Sequence, residues 1–181
     1  MEVNKTILDK DGIAIKKITD EHFKISFTVK SKVDIKTIFN VNFIKLIYEL
    51  NADIFNTLSA EPINESEQHM FLSCKDLFAD LGIPQYYYNF SVKHIFNDLD
   101  NAASSLIITP IYINNRDNDT AMFIPLTYCD MTCTTVDNIG FFNIDIRINN
   151  TNLFKSSFFE KMVAMLFYKL INKLKHFINI I

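Results

Sequence analysis

Cys129 and Cys133 stand four apart in Tyr128-Cys129-Asp130-Met131-Thr132-Cys133, and with Cys74 and either His69 or His94 they supply the ligand types of a zinc site. Zinc draws its ligands to within about 2.0–2.3 Å of one point, usually from closely spaced pairs. The local sequence is rich in Thr and Tyr and reads as extended, and strand residues four apart share a face about 13 Å from each other. These cysteines therefore read as buried free thiols. Thiol nucleophile chemistry would need a base from His22, His69, His94 or His176, and none of them stands in a local signature with a cysteine.

Carboxylates pair at Asp98-Leu99-Asp100 and at Asp117-Asn118-Asp119. The second lacks the central Gly and terminal Glu of a calcium loop and reads as a solvated hairpin tip. Gly12, Gly82 and Gly140 are far apart, which excludes a P-loop and a dinucleotide fingerprint, and no Gly-x-Ser-x-Gly elbow occurs. Tyr86-Tyr87-Tyr88 has the aromatic character of a nucleic-acid stacking platform but only Lys93 nearby, so two tyrosines facing inward and one outward is the stronger reading. No catalytic residue, metal or cofactor is accordingly expected.

These side chains must be positioned by a chain of 181 residues, 49% apolar, which is enough for one domain over residues 1–181. Lys+Arg 18 against Asp+Glu 21 gives a formal charge of −3, which argues against general nucleic-acid binding. The odd number of cysteines, 3, and the absence of an apolar run in Met1 to Lys10 suggest an intracellular chain. Phe 17, Gly 3, no Trp and abundant Ile, Asn and Lys suggest an AT-rich coding genome.

Phe23, Ile25, Phe27 and Val29 alternate with polar residues from His22 to Lys30, a half-buried strand, with a shorter strand at Ile13 and Ile15 before it. From Ile35 to Leu58 the apolar residues step by three and four, predicting a helix of about six or seven turns, perturbed near Asn51-Ala52-Asp53. Ala60 to Gln68 reads as a loop, Met70 to Cys74 as a short strand, and Asp76 to Pro84 as a short helix. Strands follow from Tyr86, from Leu106 to Ile113, from Ala121 to about Thr135, and from Ile139 to Ile148. Pro110 and Pro125 set their strands at an edge or beside bulges, and Asp137-Asn138 marks a turn.

The last segment, Asn152 to Ile181, returns to helical spacing with an apolar side wider than the roughly 100° that one surface buries. Glu160, Lys161 and Lys169 interrupt it, so it is not a membrane span. The fold class is then α+β, an antiparallel sheet of about six strands packed against two long helices in the order β-β-α-β-α-β-β-β-β-α. That order resembles helix-grip folds, in which a curved antiparallel sheet wraps a long C-terminal helix.

Two functions follow as expectations. The first is a non-catalytic structural or assembly subunit, of viral or phage origin, contacting a protein partner or a second copy through Phe158, Met162, Met165, Leu166, Leu170, Phe177 and Ile181. The alternative is a helix-grip protein binding a small apolar molecule between sheet and last helix, with Tyr88, His94 and Tyr128 as polar anchors.

Overall fold

The structure is a computed structural model, and it describes residues 4–76, 85–96, 103–112, 122–123, 126–149 and 157–181. The strict alternation of residues 22–30 folds as β3 (His22–Lys30), with Phe23, Ile25, Phe27 and Val29 all buried. Before it come β1 (Lys5–Lys10) and β2 (Ile13–Thr19). They are joined by a two-residue turn in which Asp11 and Gly12 have φ of 53° and 70°. Two positive φ values in a two-residue connection match the right-handed twist of the strands. Asp137 and Asn138, at φ 47° and 63°, make the same turn between β9 (Leu126–Val136) and β10 (Ile139–Ile148).

The remaining strands are β4 (Phe55–Asn64), β5 (Glu67–Cys74), β6 (Tyr86–Phe96), β7 (Ala103–Pro110) and the two-residue β8 (Met122–Phe123). Among the described residues nine strands form one antiparallel path, β1-β2-β3-β10-β9-β7-β6-β5-β4, with β8 beside β6. The path has nine strands where the sequence predicts a sheet of about six: the order read from the sequence already holds seven, and the edge strands β1 and β4, which carry no apolar alternation to announce them, are the other two. In β4 only the first residue, Phe55, is buried, so the segment reads as a loop although it pairs with β5 from Phe55 to Asn64. Pro62 is tolerated there because an edge strand has one side without ladder partners.

The long helix expected from Ile35 to Leu58 is instead α1 (Ile35–Ile38), α2 (Phe43–Leu50), a turn and the start of β4. Asparagine side chains interrupt it. The Asn40 amide donates to Thr37 O at 2.8 Å while its oxygen accepts from Asn42 N, also at 2.8 Å, and the buried Asn51 donates to Ile47 O at 2.9 Å. Such side chains offer the backbone partners that compete with helix continuation. The one long helix among the described residues is α3 (Ser157–Ile180).

Pro110 is the last residue of β7, a strand interior to the sheet, where the ladder ends. The register between β9 and β10 shifts opposite Leu126 to Tyr128, a bulge just after Pro125. Of the short helix expected from Asp76 to Pro84 all but Asp76, and both aspartate-pair loops, lie outside the described residues.

One face of the sheet, the inner face, is buried. Phe142 of β10 stacks between Phe27 (4.8 Å) and Phe43 of α2 (5.8 Å), and Phe39 meets it edge-on at 5.4 Å. The α1–α2 segment thus covers one end of the inner face. Across β1, β2 and β3 lies α3, whose Ala164, Tyr168, Ile171, Leu174 and Ile178 are buried, and α2 packs against it from the side. Being covered from two directions explains why its apolar side is wider than one sheet requires.

Candidate functional site

The inner face is laid out in rows by the strand register. His94, Leu106, Met131, Ile144, Ile25 and Ile15 follow one another across β6, β7, β9, β10, β3 and β2. The adjacent row runs Gln68, Val92, Ile108, Cys129, Ile146 and Phe23. A wall of this kind is apolar with a few polar side chains at chosen points.

His94 is the polar member at the β6 end. It is 6% exposed, its Nε2 has no hydrogen-bond partner, and its ring lies between Phe39 (6.2 Å, edge-on) and Phe96 (4.0 Å). Burial pushes its pKa below the usual 6.5, which keeps the imidazole neutral at physiological pH. Tyr88 points to the same side of β6 and is also buried, and desolvation raises its phenol well above 10.0. Gln68, buried on β5, donates its amide to Val41 O.

Cys129 and Cys133 both point inward from β9, with the Met131 row between them, so the C-x3-C spacing spreads them along the wall. Burial lifts both thiols to about 12, and Cys74 to about 11. Among the described residues no three His, Cys, Asp or Glu side chains converge as metal ligands.

Tyr128 stands on the opposite face from Tyr88 and His94. On β9 the inward set is Cys129, Met131 and Cys133, which turns Tyr128, Asp130 and Thr132 outward. Its hydroxyl donates to Asp130 Oδ2 at 3.3 Å. That outer face carries a groove of about 410 Å³ lined by residues that include Lys16, Lys24, Asp130, Thr132, Asn143 and Asp145. Lys16 faces Lys24 and Asp145 faces Asp130 across their ladders, and burial together with the Asp145 charge raises the Asp130 carboxyl above 3.8. His22 meets Asp145 at 2.9 Å and Lys24 lies 3.7 Å from it, so this face is an ion-paired sheet surface.

Along α3, Phe158 and Met165 of the expected contact surface are exposed. Met162, Leu166, Leu170, Phe177 and Ile181 are half-buried, with Phe177 packed on the core. The first turns of α3 are held by an ion pair between the buried Glu160 and Lys17 of β2, a contact no sequence pattern announces. The Phe39 ring against His94 is equally illegible in the sequence, since it depends on where a broken helix docks.

No family model and no curated protein matches this sequence. Solved structures do. The lipid transfer and protein localization domain of human StarD13 superposes with a TM-score of 0.70 at 10% identity, covering 96% of this chain and 88% of that one. Human STARD10 gives 0.73 at 9% identity over 97% and 73%. The STAR-related lipid transfer protein of Xanthomonas axonopodis gives 0.65 at 10% identity over 94% of each chain. The chain has the StAR-related lipid-transfer fold. The expectation of a viral or phage assembly subunit is overturned here. It rested on an apolar excess of the last helix that β1–β3 and α2 cover, and the fold is that of domains named for lipid transfer. No described helix is long and apolar enough to cross a membrane.

Proposed function

We propose that this protein binds an apolar small molecule against the inner face of its sheet, alongside α3, as a non-catalytic carrier. The observation that carries the reading is the fold itself, shared over 96% of the chain with a lipid transfer domain. The inner wall supports it, since Val92, Leu106, Ile108, Met131 and Ile144 offer an apolar lining interrupted by His94 and Tyr88. A binding role needs no more chemistry than this, because orientation of an apolar ligand takes only a few polar contacts.

Native mass spectrometry of the protein purified from its own source tests the proposal, together with titration of Nile red, an uncharged dye that brightens in apolar surroundings. A co-purifying lipid-sized adduct and a saturable rise in dye emission are expected. A bare polypeptide mass combined with no dye binding overturns it.

A further inference from the structure

His94 is the one side chain among the described residues that combines deep burial, an unpartnered ring nitrogen and a position in the proposed binding wall. An unsatisfied buried polar atom carries a desolvation penalty that a packed core ordinarily avoids by supplying a partner. Among the described residues around His94 none partners Nε2: its ring contacts are Phe39 and Phe96, and its cross-strand neighbour is Leu106. Its backbone is satisfied, N–H donating to Ser66 O at 2.7 Å, so the deficit belongs to the imidazole.

We propose that the ligand is an uncharged apolar molecule carrying a hydroxyl group, and that this hydroxyl pairs with His94 Nε2. The inference rests on the binding role proposed above and names the ligand chemistry of that same wall. A hydroxyl fits because it both donates and accepts, so it meets either tautomer of a neutral imidazole. A charged headgroup does not fit. Among the described residues the inward cations of the sheet are Lys5, Lys10 and Lys17, all on β1 and β2: Lys17 is engaged by Glu160 and by Asp20 at 2.7 Å, Lys5 by Glu160 at 3.4 Å, and Lys10 lies over the Tyr168 ring at 5.1 Å. Burial of His94 disfavours the imidazolium that would pair with an anionic ligand.

The test is competition against Nile red by dodecane, 1-dodecanol and dodecanoate, in the wild type, His94→Leu, His94→Gln and the exposed control His69→Leu. The wild type should favour dodecanol over dodecane by on the order of tenfold, the size of one net hydrogen bond. That ratio should fall to near one in His94→Leu, recover in part in His94→Gln and persist in His69→Leu. Because it is a ratio within one variant, general loosening of the wall cancels. Should His94→Leu fail to fold, the ¹⁵N resonance of His94 Nε2 in the wild type decides the same question: dodecanol shifts it and dodecane does not.

Equal binding of alcohol and alkane by the wild type overturns the His94 assignment while leaving an apolar pocket intact. Dodecanoate binding tighter than dodecanol, and losing that advantage in His94→Leu, overturns the uncharged ligand. Failure of Nile red and all three competitors to bind overturns the underlying binding role.

Discussion

Lys17 of β2 and Glu160 of α3 form an ion pair in which both side chains are buried, joining residues 143 apart in sequence. Lys5 reaches the same carboxylate at 3.4 Å, and Asp20 meets Lys17 at 2.7 Å. Glu160→Gln leaves the Lys17 charge largely out of water with only Asp20 to answer it, and should cost about 2–3 kcal/mol in urea unfolding. Replacing both residues at once, by Lys17→Met with Glu160→Leu, should cost far less, since an apolar pair carries no desolvation penalty. Equal losses in the single and double variants would show that the pair contributes packing alone.

The same pair sets a pH dependence. Burial pushes the Glu160 carboxyl up, but hydrogen bonds and charge from Lys17 and Lys5 outweigh it and hold the group below its ordinary 4.5. A depressed carboxyl contributes stability above that ordinary value and loses it as pH falls through the lower folded value. For Lys17 burial lowers the pKa, while Asp20 and Glu160 raise it beyond 10.5 on balance, so its share is present below 10.5 and is lost as pH rises from there through the raised value. The stability gap between wild type and Glu160→Gln should be flat through neutral pH and shrink below pH 4.5.

The elements that can be read from the sequence are those with one face in the core. The β3 and β10 strands follow their alternation to within a residue, because every second side chain is buried between sheet and helices. The edges β1 and β4 follow no such rule, and the helical spacing from Ile35 to Leu58 extends past the point where Asn40 and Asn51 divert the backbone. The pairing of β3 with β10 joins segments whose sequences say nothing of each other. Within the site, inward placement of His94 is legible from Tyr88, Phe90 and Val92, but its unpartnered nitrogen is not. Tyr128 suggests an inward anchor by its aromatic type and is not one, although the polar Asp130 and Thr132 on either side of Met131 already point outward.

Gly140 sits where an added Cβ would lie 2.7 Å from Ile35 Cδ1, 3.0 Å from the Phe142 ring and 3.1 Å from Val29 Cγ2. Gly140→Ala should therefore destabilise by about 1–3 kcal/mol through overpacking. Ile35→Val removes the atom in closest conflict, so the double variant should recover most of that loss in thermal unfolding. Simple additivity of the two single effects would mean that the strain resides in the sheet and not in the docking of α1.

Asp53, in the turn between α2 and β4, takes Lys169 at 2.7 Å and Lys173 at 2.6 Å, tying the turn to α3 at the surface. The Lys169 hydrogen bond, then that of Lys173, holds its carboxyl far below 3.8. Because all three side chains are over a third exposed, Asp53→Asn should cost no more than about 1 kcal/mol. That cost should diminish further in molar salt, whereas the Glu160→Gln cost should persist, since burial limits screening.

Cys129 and Cys133 report on whether the binding wall opens. Burial lifts both to about 12 and Cys74 to about 11, against an ordinary 9.0. At pH 8 a thiol at about 11 carries about a hundredth of the thiolate of one at 9.0, and thiolate is the form that reacts with a disulfide reagent. Native protein should therefore label at least about a hundredfold more slowly than protein in denaturing urea, with Cys74 first. The two β9 thiols should label only as fast as the inner face is exposed by opening, and a ligand held against that face should slow them further. Prompt labelling of Cys129 in native protein, undiminished by dodecanol, would mean that β9 does not line a closed wall.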